Sequence, residues 1–323
     1  MTAVHRWTSV DQIPELTGST VVTLGNFDGV HRGHRAVLDQ VVRLATVQQA
    51  LSVAVTFDPH PVAVLYPDRA PVQITGMPYR LDLLERSGLD ATLVLEFTRE
   101  FATLTPEEFV RQIFVGALHA STVVVGEDTR FGVRNSGDIE TMRELGRQHG
   151  FEVLTQRPVG EQLAGERAWS STRLRTALSE GDVASAAEVL GRAHRVEGTV
   201  VHGHHRGREL GYPTANLGPD STGMVPDDGV YAGWLERPEL PPEHDDRRSP
   251  AAISVGTNPT FDDVLVRTVE AYVLDRTDLD LYGERVAVDF VARLRGNLRF
   301  GSVEALLVQM ERDCSATRSM LLG

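Results

Sequence analysis

Residues 20–34 read TVVTLGNFDGVHRGH. Thr20 to Leu24 is a short apolar run and Ala36 to Val47 has helical period, so Gly25 to His34 sits where a buried strand hands over to a helix. At such a junction the first N–H groups of the helix lack intrahelical partners and favour an anion. Gly25, Gly29 and Gly33 let a phosphate approach the backbone. His31 and His34, three residues apart, share one face at the helix start and could donate to phosphate oxygens. The plainer reading is a tight turn whose histidines cap the helix, and this stretch alone does not decide between the two.

Moving outward, Ser52 to Phe57 (SVAVTF) reads as a second buried strand, which completes a βαβ unit and implies a parallel pair. A helix is expected over Tyr79–Ser87, a strand over Ala91–Leu95, and a helix over Thr105–Leu118. That last helix has Thr105 as cap, Pro106 in the first position and Glu108 closing a capping box. A strand at Ser121–Val125, a helix at Ile139–His149 and a strand at Phe151–Leu154 continue the alternation. The expected fold of this half is a doubly wound parallel α/β sheet, whose ligands bind beyond the carboxyl ends of the strands. The loops after Leu24, after Phe57 (Asp58-Pro59-His60-Pro61) and after Val125 (Gly126 to Asp138, with Asp128, Arg130, Phe131 and Arg134) all fall at that edge. Ser170 to Arg175 (SSTRLR) adds hydroxyls and two arginines at a helix start, which suits a polyphosphate or serves as an ordinary cap.

The pattern changes after Gly181. Asp182–Arg192 reads as an alanine-rich connecting helix, followed by candidate strands at Val196–Val201, Gly229–Leu235, Ala251–Val255, Val266–Leu274 and Arg285–Leu294. Successive strands without helices between them indicate a small antiparallel barrel, closed by an amphipathic helix over Val303–Asp313. Between the first two strands, GHHRGRELGYPTAN (Gly203–Asn216) collects Gly203, Gly207, Gly211, Arg206 and Arg208 around a nucleotide-sized polar cluster. Thr214 and Asn216 follow the stiffening Pro213 and offer oxygen ligands for magnesium. Glu270 lies in an otherwise apolar or aromatic strand, VEAYVL, as an exposed-face residue or as a placed general base.

The bulk numbers bound these readings. At 323 residues two domains are the default, expected here at 1–183 and 184–323. A net charge of −13 speaks against broad nucleic-acid binding but not against phosphate ligands, which need only local donors. Cys314 is the single cysteine, so no intrachain disulfide forms, and a reducing, cytoplasmic setting is expected. No apolar run approaches membrane-spanning length and no signal-peptide core opens the sequence.

Together these motifs resemble one family, the bifunctional riboflavin kinase and FAD synthetase of bacteria. GNFDGVHRGH, TFDPHP, VVVGEDTRFG and SSTRLR are similar to its adenylyltransferase domain; GRELGYPTAN, GVYAGW, SVGTNPTF, VEAYVLD and DLYGERVAVDFVARLR are similar to its riboflavin kinase domain. The resemblance implies ATP-dependent phosphorylation of riboflavin to FMN by the C-terminal domain, with release of ADP. Glu270 is then the base, Thr214 and Asn216 hold Mg2+ and phosphates, and Gly203, Gly207, Arg208, Gly211 and Pro213 belong to the ATP site. It implies that the N-terminal domain adenylylates FMN to FAD and releases pyrophosphate. There His31 and His34 would stabilise phosphate charge, with Gly25, Asn26, Phe27, Asp28, Gly33, Asp128, Ser171, Thr172 and Arg175 in the ATP site and Phe57, Asp58, Pro59 and His60 bordering the flavin. One departure stands out: where the family often has asparagine or aspartate followed by phenylalanine, Asp128 is followed here by Thr129. Three rivals are weighed: an enzyme with only one active domain, a non-enzymatic flavin-binding regulator, and a nucleotidylyltransferase for another substrate such as a pantetheine phosphate. No nucleic-acid or membrane partner is expected, and oligomeric state is left open.

Overall fold

The computed structural model describes residues 4–157, 169–202, 211–259 and 265–323. The chain divides into two compact units, Met1–Pro71 with Met77–Ser170, and Val72–Gly76 with Ser171–Gly323.

The first unit is a six-stranded parallel sheet. Its strands are β1 (His5–Trp7), β2 (Thr20–Leu24), β3 (Leu51–Asp58), β4 (Ala91–Glu96), β5 (Ala120–Gly126) and β6 (Glu152–Gln156), in the spatial order β1-β4-β3-β2-β5-β6. Every residue of β2 is buried, as an apolar run without alternation requires when both faces of a sheet are covered. Val21, Ala54 and Val124 face one side and pack with Leu38 and Val41 of α1 (Arg32–Gln48) and Leu83 and Leu84 of α3 (Met77–Glu85), the short α2 (Pro61–Leu65) lying between those helices in sequence. Val22, Val53 and Val123 face the other side and pack with Phe109 of α4 (Pro106–Phe109) and with Met142 and Leu145 of α5 (Ile139–His149). Burying each of these valine, leucine, phenylalanine and methionine side chains contributes roughly 1.5–3 kcal/mol, so the two layers hold the sheet from both sides. The Thr105 cap, Pro106 and the Glu108 capping box all form. The α-helix they start lasts only four residues before it widens into a π-helix, Val110–Ala117.

Besides Val72–Gly76, the second unit holds α6 (Ser171–Ser179) and α7 (Val183–Leu190), which lead into a closed antiparallel barrel. Its strands are β7 (His194–Val201), β8 (Thr214–Leu217), β9 (Gly229–Glu236), β10 (Arg248–Pro259), β11 (Leu265–Val273) and β12 (Arg285–Arg295), closing in the order β10-β11-β8-β7-β12-β9. Inward residues alternate with outward ones: Ala215 and Leu217 on β8, and Val269, Ala271 and Val273 on β11, are buried. The closing helix α8 spans Val303–Leu322, nine residues beyond the expected end at Asp313. Arg295 of β12 holds its Asp313 through a forked pair, with the closest approach at 2.7 Å.

Cys314 of α8 packs with Ala252, Leu274, Tyr212 and Tyr272. Burial, with Glu311 and Asp313 nearby, pushes its thiol from an ordinary value of 9.0 up to about 11. The unfolded chain therefore loses this proton first. The contribution to stability is complete below about pH 9 and is lost as pH rises towards 11. At pH 8 the thiolate fraction falls about a hundredfold relative to an unperturbed thiol. Titration with a disulfide reagent at that pH should find Cys314 silent in the native protein and fully reactive in denaturant.

Candidate functional site

The parallel sheet reverses its winding between β2 and β5, because β3 and β4 extend from one side of β2 while β6 follows β5 on the other. The loops leaving β2 and β5 therefore flank the crevice where doubly wound sheets bind ligands. In the first of these loops, Phe27, Gly29 and Val30 all have left-handed φ, at 49°, 88° and 38°. For non-glycine residues such backbone costs of order 1–3 kcal/mol each and persists only where the surroundings enforce it. Here Phe27 and Val30 are buried side chains of the core, 2% and 0% exposed. Phe27 thus serves the loop as an anchor, its ring lying under Gly25, where a Cβ would come within 3.2 Å of it.

His31 is the N-cap of α1, its Nδ1 accepting from the His34 backbone N–H at 3.2 Å. The cap of the plainer sequence reading is present, and it has a chemical consequence. With Nδ1 as acceptor, the ring proton of neutral His31 sits on Nε2. The two imidazoles stack at 3.7 Å between centroids, and Phe27 braces His34 edge-on at 5.3 Å. A Cβ on Gly33 would crowd the His31 ring at 3.0 Å and the Trp169 carbonyl at 3.1 Å. Arg32 lies 5.2 Å over the Trp169 ring.

Asn26 and Asp28 are gripped from below by Arg80 of α3, a residue the sequence reading missed. Arg80 is 1% exposed and Asp28 2%. Its Nη1 donates to the Asn26 carbonyl at 3.2 Å and its Nη2 stands 3.5 Å from the Asp28 carboxylate. Thr56 Oγ1 also donates to the Asn26 carbonyl, at 3.3 Å.

From the adjacent β3, Phe57 projects into an aromatic cluster with Phe97 and Phe101, at 5.5 and 5.9 Å. Asp58 and Pro59 are exposed. His60 is buried and caps α2, its Nδ1 accepting from Val62 N–H at 3.2 Å. After β5, Asp128 is exposed and Phe131 is buried. Asp138 ends that loop as the cap of α5. Hydrogen bonds from Thr141 N–H and Oγ1, both at 2.9 Å, hold its carboxyl below the ordinary range. The structure therefore gathers the loops after β2, β3 and β5 on three adjacent strands. Ser171, Thr172 and Arg175 stand at the start of α6, in the second compact unit, where Arg175 Nε donates to the Val72 carbonyl at 2.9 Å.

In the barrel, β8 and β11 pair so that Glu270 lies directly opposite Asn216, and Tyr272 opposite Thr214. Directly opposed side chains sit about 5 Å apart at Cβ. Thr214, Asn216 and Glu270 are half-buried and share the outward face, since their neighbours Ala215, Val269 and Ala271 point inward. Ser254 of β10 extends the row from the other side of Glu270. Asn216 Nδ2 donates to the Thr214 carbonyl and Oγ1, both at 3.1 Å, which turns the amide oxygen away from Thr214. Tyr212, preceding Pro213, packs at a tilt against Tyr272, 5.0 Å between ring centroids, and donates to Glu311 at 3.3 Å. Gly211 takes a left-handed φ of 83°. Gly203, Gly207 and Arg208 lie outside the described residues.

Comparison with known proteins covers both units. The family model for FAD synthetase matches residues 13–173 and that for riboflavin kinase matches residues 190–321. A protein of Escherichia coli (strain K12), named bifunctional riboflavin kinase/FMN adenylyltransferase, is 34% identical over 297 residues, 91% of this chain and 90% of its own. A protein of the same name from Listeria monocytogenes is 33% identical over 314 residues, 97% of this chain and 93% of its own. A crystal structure described as a macrolide-efflux protein from Streptococcus pneumoniae shares the fold with a TM-score of 0.84 at 32% identity, covering 98% of this chain and 99% of that one.

Proposed function

The chain belongs to the bifunctional riboflavin kinase/FMN adenylyltransferase family, and on that premise we propose how its own residues divide the work. The protein phosphorylates riboflavin to FMN and adenylylates FMN to FAD, with ATP as co-substrate of both reactions. We place the division of labour at 183/184, at the start of α7.

In the barrel, the 5′-hydroxyl of riboflavin attacks the γ-phosphorus of ATP, and ADP leaves. Glu270 takes the hydroxyl proton; its place opposite Asn216 on the outward face is the observation that carries this assignment. Thr214 and Asn216 supply uncharged oxygens. Such a donor set fits Mg2+, which takes few protein ligands and shares its shell with phosphates and water. When bound, Mg2+ would neutralise charge on the phosphates being transferred. Gly211, Pro213 and the Gly203–Arg208 stretch complete the nucleotide site in this assignment.

In the parallel-sheet unit, a phosphate oxygen of FMN attacks the α-phosphorus of ATP and pyrophosphate leaves. The nucleophile is already an anion, so the protein's task is to meet charge on the α-phosphate and on the leaving group. Nε2–H of His31 and the imidazole of His34 do this at the start of α1. Gly25, Asn26, Asp28 and Gly33 shape the turn, and Asp128 is assigned to the nucleotide. Phe57, Asp58, Pro59 and His60 border the flavin in this reading, with Phe57's aromatic cluster supporting it. The net charge of −13 fits small-molecule partners over nucleic acid, and the supply of ATP fits a cytoplasmic setting.

Riboflavin, ATP and magnesium incubated with the protein, with flavins resolved by chromatography over time, should yield FMN first and FAD after it. Absence of both products from folded protein would overturn the enzyme reading, and FMN without FAD would support a single active domain.

A further inference from the structure

Arg80 is a buried cation that the adenylyl-transfer chemistry described above does not use. It is 1% exposed, on a helix whose other buried residues are Tyr79, Leu83 and Leu84. An arginine is rarely taken so far from water unless its charge and its donors are matched. Two of its partners lie in the turn between β2 and α1: the Asn26 carbonyl at 3.2 Å and the Asp28 carboxylate at 3.5 Å. These two residues bracket Phe27, where the left-handed backbone begins.

We propose that Arg80 is a positioning residue for adenylyl transfer, fixing the Asn26–Asp28 segment so that the turn presents its backbone N–H groups and the His31/His34 pair to the reacting phosphates. A guanidinium can do this because its planar fork holds a carbonyl and a carboxylate at once, which fixes orientation as well as distance. Lysine offers one compact charge that can reach either group without fixing the angle between them. Loss of the fork lets the turn shift, and a displacement of about 1 Å in groups aimed at a transition state costs about a hundredfold in rate. ATP binding in the ground state draws on many other groups, so the loss falls on kcat and not on KM. The inference rests on the proposed assignment of Gly25–His34 to adenylyl transfer.

The test compares the parent with Arg80→Lys, Arg80→Gln and His34→Ala in the full chain. Both FMN formation from riboflavin and FAD formation from supplied FMN are measured, together with thermal unfolding. For Arg80→Lys the expectation is a fall of about tenfold to a hundredfold in kcat for FAD formation, with KM for ATP within about twofold and FMN formation at the parent rate. Arg80→Gln should fall further in the same direction; if it does not fold, Arg80→Lys alone carries the test. A kcat within about twofold of the parent in Arg80→Lys overturns the proposal. So does a loss that tracks a lowered unfolding temperature and strikes both activities, or one confined to KM. If His34→Ala also keeps the parent rate of FAD formation, the assignment of the histidine turn itself fails. A slow His34→Ala beside a normal Arg80→Lys refutes only the role given to Arg80.

Discussion

Replacing Glu270 by alanine is expected to slow FMN formation from riboflavin by roughly a hundredfold to ten-thousandfold, while the same protein converts supplied FMN to FAD at the parent rate. Glu270 occupies the outward face of β11, and the barrel core at this level is made by Val269 and Ala271 pointing the other way. Its backbone pairing with Asn216 and Ser254 is independent of the side chain. Alanine therefore removes the carboxylate and leaves both ladders, so the barrel should fold and the loss reports on chemistry. Thr214 and Asn216 remain to bind the nucleotide, which keeps KM for ATP near the parent value. A Glu270→Ala protein that still makes FMN within about tenfold of the parent rate would remove the proposed base, and loss of both activities in folded protein would break the separation of the two sites.

Parts of this arrangement are legible in the sequence because local chemistry and global fold agree there. The short run Thr20–Leu24, rich in β-branched residues and bounded by Gly25, reads as a strand covered on both sides, and the turn after it follows at once. The Thr105 cap forms as its residues dictate. The π-helical continuation over Val110–Ala117, which buries Val110, Ile113 and Phe114, is not legible, because the same apolar spacing serves either helix. β8 is four residues long and begins beside Pro213, so it reads as a stiff turn. Yet its being a strand is what sets Thr214 and Asn216 on one face, opposite Tyr272 and Glu270. Arg80 was hidden for another reason. An arginine in an amphipathic helix reads as solvent-facing, and its pairing with Asp28 and the Asn26 carbonyl, distant in sequence, is what the sequence does not show.

His34→Ala should let FMN accumulate, lowering FAD formation by roughly a hundredfold to a thousandfold with riboflavin phosphorylation unchanged. The choice of His34 over His31 follows from the cap. His31 Nδ1 accepts from the backbone N–H of residue 34, and alanine keeps that N–H. The start of α1 therefore survives, and Val37, Leu38 and Val41 stay in the core. His31→Ala would remove the cap and the ring together, so its effect would mix stability with catalysis. Loss of the His34 ring also withdraws the partner stacked on His31 at 3.7 Å, so the remaining imidazole is less firmly aimed and the rate loss includes that term. The measurement is a time course of all three flavins starting from riboflavin. FAD appearing at the parent rate would mean that charge on the α-phosphate and pyrophosphate is met by other groups, and the turn would then serve as the cap that its plainer reading describes.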